Sequence, residues 1–148
     1  MRAFLSIIAS LLLGVISAHS QTGPSYDQTI LYLGDKVRLG DPDNSFGPAN
    51  GGGCNVYYRS HDLYFVDLAD LDGATLRYGT CSVWVTCATG KCVRVYEGGS
   101  GYPSQMKKHL WNEGKLDVRV DCSTAEKGAK ALTHALRLCG APFKKDPF

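Results

Sequence analysis

Little in this chain of 148 residues commits it to a charged partner. Lys and Arg total 16, Asp and Glu total 14, and no run of like charge stands out. Nucleic acid asks for clustered basic residues, so no nucleic-acid footprint is written here. Long apolar runs are equally scarce. The one candidate, Ala3 to Ser17 (AFLSIIASLLLGVIS), falls short of the roughly 18–20 residues a bilayer crossing needs. Set between Met1-Arg2 and the small residues Ala18 and Ser20, it reads as a secretory signal peptide cleaved after Ser20. The expectation is a signal peptide over 1–20, one secreted domain over 21–148, and no stable membrane anchor in the mature chain. Metal-site signatures are missing too. The close cysteine spacings are C-x5-C and C-x4-C with no paired histidines, so no metal and no other cofactor is expected. Neither G-x-S-x-G nor H-E-x-x-H occurs, and no residue receives a catalytic role from a motif.

Cysteine is what the sequence does have. Cys54, Cys81, Cys87, Cys92, Cys122 and Cys139 make an even set, all beyond the signal peptide. In an exported chain that implies three disulfides, with the connectivity left open. Cys87 and Cys92 flank the turn Ala88 to Lys91, where a cross-strand bridge is feasible, and Cys139 is free to reach back to any strand beneath the last helix.

Patterning points to an α+β domain. Thr29 to Leu33 and Lys36 to Leu39 read as two short strands around Gly34-Asp35, and Gly40 to Gly53, rich in Gly, Pro, Asp and Asn, reads as a long exposed loop. Strand-like segments follow: NVYYRS, DLYFVDL, ATLRYG, CSVWVTC and CVRVYE. In CSVWVTC the set Cys81, Val83, Val85, Cys87 alternates with Ser82, Trp84, Thr86, which puts the cysteines on the buried face and Trp84 on the other. Residues 103–113 are predicted as a short helix from the Met106–Leu110 spacing, with Gly114 as its stop. Lys115 to Cys122 alternates again, with Leu116, Val118 and Val120 opposite Lys115, Asp117, Arg119 and Asp121. Ser123-x-x-Glu126 resembles a capping box ahead of a helix whose apolar stripe is Ala125, Ala129, Leu132, Leu136 and Cys139. The strand 91–97, helix 103–113 and strand 115–121 are a possible βαβ unit. The whole is expected to be a disulfide-stapled two-layer α+β sandwich, mainly a twisted antiparallel sheet with two helices on one face.

Acid–base chemistry, if present, would draw on His61, Glu97, His109, Glu113, His134 and Arg119, but no spacing brings them together. Most aromatics sit in strand segments, where packing is the default. Trp84 is the exception, because Val83 and Val85 claim the buried side. A tryptophan left on a sheet face, with the mixed-charge face of Lys115, Asp117, Arg119 and Asp121 as a second candidate, suggests a contact surface for which Trp84, Lys115 and Arg119 are singled out.

One segment carries a family likeness. Leu76-Arg77-Tyr78-Gly79-Thr80-Cys81, followed by Val83 and Val85, a Gly-containing turn, a helix and a strand ending at Cys122, resembles the fungal extracellular effectors of the necrosis-inducing, killer-toxin-like type. The likeness covers about half of 21–148. It implies a small, secreted, cysteine-rich and non-enzymatic protein acting on host plants or competing microbes, and transfers no individual residue role. The Cys87/Cys92 pair and the helix at 123–139 are additions to that pattern. The function expected is therefore an extracellular effector or toxin-like protein that binds a host or microbial protein or glycan. The alternatives are a small ribonuclease-like hydrolase, which needs His61 or His109 to converge with Glu97 or Glu113, and an inhibitor or glycan-binding module.

Overall fold

A computed structural model describes residues 23–98 and 108–143. The expected signal peptide, 1–20, lies outside the described residues. The chain begins with helix α1, Tyr26–Gly40, where two strands are expected from the sequence. Its start is set by a capping box. The Ser25 hydroxyl accepts from the Gln28 N–H at 3.2 Å while the Gln28 side chain accepts from the Ser25 N–H at 2.9 Å. Thr29, Ile30, Leu33 and Val37 then recur at helical spacing and are buried. Gly34, which reads as a turn, is needed for close packing instead. A Cβ there would come within 2.7 Å of the Phe46 carbonyl oxygen.

The following stretch, expected to be an exposed loop, contains strand β1, Ser45–Pro48. Phe46 is buried and forces the segment onto the core, which outweighs its Gly and Pro content. Strands β2 (Asn55–Arg59), β3 (Leu63–Asp67), β4 (Arg77–Tyr78), β5 (Ser82–Thr86) and β6 (Val93–Tyr96) match the strand-like segments of the sequence. Strand β7 (His109–Glu113) replaces the last five residues of the expected helix; residues 103–107 lie outside the described residues. Strand β8 is Lys115–Arg119 and helix α2 is Ala125–Leu138. The chain thus has the α+β class, antiparallel pairing and two helices that the sequence implies, with α1 in place of a helix at 103–113.

Two sheets are present, β1-β2-β3-β6-β7 and β4-β5-β8, and every pairing is antiparallel. That excludes the βαβ unit, which requires parallel strands. The sheets are joined by one long hairpin. Strand β5 pairs with β8, and β6 pairs with β7, along the same stretch 109–119. Thr86 stands opposite Lys115 and Val93 opposite Glu113, so residues 87–92 all face the single residue Gly114. This wide bulge re-aims the strands. Leu116 and Val118 point into the core beyond Gly114, whereas before it the neighbouring core positions are Val93 and Val95 of β6. Gly114 is the joint between two sheets rather than a helix stop.

The core is continuous across both sheets and helices. Val56 and Val66 from the larger sheet meet Val83, Val85, Leu116 and Val118 from the smaller one, with Ile30, Leu33 and Val37 of α1 and Leu132 and Leu136 of α2. Each such Val or Leu contributes about 1.5–3 kcal/mol on full burial. Helix α1 packs on α2 and β1, and α2 on β4 and β5. The Tyr58 hydroxyl, on the larger sheet, accepts from the Arg119 backbone N–H of β8 at 3.2 Å and ties the sheets directly. Burial pushes the Tyr58 pKa up, opposed by that N–H, so the phenol stays neutral in its bridging role.

Three disulfides close the fold: Cys54–Cys139, Cys81–Cys122 and Cys87–Cys92. The first anchors the end of α2 to the start of β2. The second joins the start of β5 to the residues after β8, and the third closes the bulge opposite Gly114. The apolar stripe of α2 is buried as its spacing requires, except that Cys139 is partly buried in its bridge. The expected capping box does not form. Thr124 caps α2 without a side-chain bond, the Ser123 hydroxyl donates to the Asp121 carboxylate, and Glu126 pairs with Lys130 at 2.7 Å.

Candidate functional site

The solvent face of the three-stranded sheet gathers the three residues expected to form a contact surface. Alternation fixes which side chains share it. Val83, Val85, Leu116 and Val118 are buried, so Ser82, Trp84 and Thr86 of β5 and Lys115, Asp117 and Arg119 of β8 point the other way. The register then arranges them. Trp84 stands opposite Asp117 on one side and Arg77 of β4 on the other, Arg119 is opposite Ser82, and Lys115 is opposite Thr86. Trp84 is therefore the centre of the grid, diagonal to both Lys115 and Arg119, within reach of long side chains.

Trp84 is half-buried rather than fully exposed, for a local reason. The six-membered ring of its indole lies over Gly79, where an added Cβ would meet it at 3.3 Å. Gly79 donates its N–H to the Ser82 carbonyl at 2.9 Å, closing the turn that places it there. The tryptophan is a supported platform, not a free side chain.

Charge on this face is predominantly positive. Within the paired strands Arg77, Lys115 and Arg119 carry three positive charges against one on Asp117, and all four are exposed. Asp121, which the alternation assigns to the same side, lies past the end of β8, where its carboxylate accepts from the Ser123 and Thr124 hydroxyls. Arg77 Nη1 donates to the carbonyls of Ala74 and Leu76 at 2.9 and 2.7 Å, which holds its guanidinium against the backbone just before β4, and its strand position is opposite Trp84. Lys115 Nζ reaches Asp117 Oδ2 at 3.1 Å. Arg119 makes no ion pair among the described residues. Arg77 and Gly79 are the members that sequence reasoning missed. Strand β4 is two residues long and shows no period, and the only signal for Gly79 was its place in the turn before Cys81.

The acid–base candidates are dispersed. His61 and Glu97 do line one open cleft of about 620 Å³, together with Arg59, Asp62 and Asp43. His109 is exposed, with its ring edge-on to Tyr96 at 5.3 Å between centroids and its Nε2 hydrogen-bonded to Asn112. Glu113 accepts from the Trp111 indole N–H at 3.0 Å. His134 lies on α2 and holds the Pro24 carbonyl at 2.8 Å. Arg119 is on the face described above. Among the described residues no group of three His, Cys, Asp or Glu side chains is placed to hold a metal ion, and no helix is long and apolar enough to cross a membrane.

No protein family, curated protein or solved structure matches the chain. The fold and the site rest on their own geometry.

Proposed function

We propose that this protein is a secreted, disulfide-stapled binding module that acts outside the cell on a host or competing organism, and that its working surface is the Trp84 face. The observation that carries the reading is the grid itself: Trp84, seated on Gly79 and ringed by Arg77, Lys115 and Arg119 on paired strands. Contact surfaces draw much of their energy from a few aromatic and arginine side chains, and both types meet here. Three disulfides support an oxidising compartment. Two of them, Cys81–Cys122 and Cys87–Cys92, lie at the two ends of the β5–β8 pairing and hold the platform rigid before any partner arrives. The effector-like resemblance, which runs from Leu76 to Cys122, points the same way in its strands, although the helix of that pattern is strand β7 at His109–Glu113.

The ribonuclease alternative has one observation in its favour, the meeting of His61, Glu97 and Arg59 in a cleft. The charge balance argues against it. Asp43, Asp62 and Glu97 outnumber Arg59 three to one in that cleft, and such a site repels a polyanion.

The test is to apply purified, oxidised 21–148 protein to leaf tissue and to microbial lawns, beside reduced-and-alkylated protein and a Trp84→Ala variant. The expected result is a response to the oxidised protein that Trp84→Ala loses while keeping its melting transition. A response that survives both Trp84→Ala and Arg119→Ala would overturn the assignment of the surface. Absence of any response, together with no labelling of cell surfaces by the fluorescent protein, would overturn the binding role.

A further inference from the structure

The Trp84 face also has the features of one class of ligand. Lys115, Asp117 and Arg119 run along a single strand with side chains on one side, so the outer two are spaced by about 13 Å at roughly 3.3 Å per residue. Trp84 lies beside the middle of that row, and Arg77 lies beyond Trp84 on the third strand. The face is thus an aromatic centre with cations around it, of which Arg77 is held in place by backbone carbonyls. The chain as a whole has 16 basic and 14 acidic residues, and without Arg77, Lys115, Arg119 and Asp117 it has 13 of each, so the positive character is local rather than global.

We propose that this face binds a linear polysaccharide carrying carboxylates, a polyuronate, on the condition that the binding role above is correct. A pyranose ring presents an apolar C–H face that covers an indole, and only its carboxylate then needs a cation. Arginine suits that group because its planar fork donates two parallel hydrogen bonds to a carboxylate. Arg119, without an ion pair among the described residues, supplies the free fork. Arg77 supplies a second one, with Nη1 held by the Ala74 and Leu76 carbonyls. The Lys115–Asp117 pair, half-exposed on both sides, opens to accept a carboxylate on Lys115 at little cost, since exposed pairs hold only about 0.2–1 kcal/mol. Arg77, Trp84, Lys115 and Arg119 line none of the three described clefts, and side chains spread across three paired strands match an extended chain better than a compact small molecule.

The test is affinity electrophoresis and calorimetry of the oxidised protein on polygalacturonate, with neutral dextran, dextran sulfate and poly-glutamate as the other arms. Binding is expected on polygalacturonate, falling with added salt, and absent on dextran. By the tenfold-per-1.4 kcal/mol relation, loss of an anchor aromatic should weaken it roughly tenfold in Trp84→Ala, and Arg119→Ala roughly fivefold, with Arg119→Lys recovering only part. Gly79→Ala gives a second probe that keeps the indole but lifts it by a few tenths of an ångström. Equal binding to dextran sulfate that ignores Trp84→Ala would mean ion exchange alone and overturn the proposal. Stronger binding to poly-glutamate would assign the face to an acidic protein and overturn it as well. If no glycan binds while the labelled protein still decorates cells in a Trp84-dependent way, the polyuronate falls and the binding role stands; if neither occurs, both fall.

Discussion

The two flanks of the molecule are held by different means. On one side, β5, β8 and α2 are tied by Cys81–Cys122, Cys87–Cys92 and Cys54–Cys139. On the other, α1 and β1 carry no cysteine and depend on a capping box, three buried apolar side chains and the approach of Gly34 to the Phe46 carbonyl. The stapled flank bears the Trp84 face; the unstapled one bears exposed leucines, Leu31 and Leu39. The contrast teaches that covalent reinforcement is concentrated on the flank that carries the proposed binding surface. Strand β4 is only two residues long, so the sheet relies on its buried face, on packing against α2 and on the bridges at the two ends of β5–β8 as well as on its ladder hydrogen bonds.

The largest effect that tests this contrast comes from the staples. Sequence separations of 85 for Cys54–Cys139 and 5 for Cys87–Cys92 give chain-entropy contributions of about 4.5 and about 2 kcal/mol. Urea unfolding of C54A/C139A should therefore show about twice the loss of C87A/C92A. Equal losses would mean that the short bridge works by shaping the Gly114 joint rather than by closing a loop.

Gly34→Ala comes next. In an open helix the change would stabilise by about 1 kcal/mol. Here the new Cβ meets a backbone oxygen that cannot swing aside, so a loss of about 1–3 kcal/mol is expected instead. Amide exchange should rise in α1 and β1 and stay unchanged in β5 and β8; a uniform rise would erase the distinction between the flanks.

Ser25→Ala removes the reciprocal cap and should cost about 0.5–2 kcal/mol. The readout is faster exchange confined to the first turn of α1. The smallest effect concerns Tyr26, whose hydroxyl is buried without a hydrogen-bond partner among the described residues. Burial, with help from Asp27 and Asp67, pushes its pKa from 10.0 up to about 12. The raised value means that the neutral phenol is the form favoured by folding. Its contribution is intact below pH 10 and lost as the pH climbs through 12. Alkaline titration followed by tyrosinate absorbance should show Tyr26 ionising late, alongside Tyr58 and Tyr64, whose burial also raises them, and the late amplitude should shrink by one tyrosine in Tyr26→Phe; α1 should loosen early, before the β5–β8 hairpin. Tyr26→Phe should abolish that early loosening.

Legibility from the sequence followed period. The alternation in Cys81 to Cys87 and Lys115 to Val120, and the apolar stripe of α2, assigned faces that the structure keeps. Trp84, Lys115 and Arg119 could be placed on one side for the same reason. Helix α1 was hidden because Leu31 and Leu39 are exposed and blur its apolar stripe. Gly34 meanwhile imitates a turn. The signal that identifies the helix, the Ser25–Gln28 box, lies just ahead of the apolar residues. Strand β7 was hidden because its conformation is imposed by β6 across the hairpin, a non-local effect that outweighs the Met106–Leu110 spacing. Arg77 and Gly79 joined the site through tertiary pairing that no local pattern encodes.

The bulge at the joint has a use in protein engineering. Residues 87–92 leave the hairpin and return to it opposite one glycine, with Cys87 and Cys92 closing the neck. Thr89, Gly90 and Lys91 are exposed, and Gly90 holds a φ of +58 with nothing within 4 Å of where a Cβ would stand. A foreign peptide spliced between Thr89 and Gly90 would be displayed as a closed ring, its ends pinned by the Cys87–Cys92 disulfide. The register of β5 on β8 would not notice the cargo.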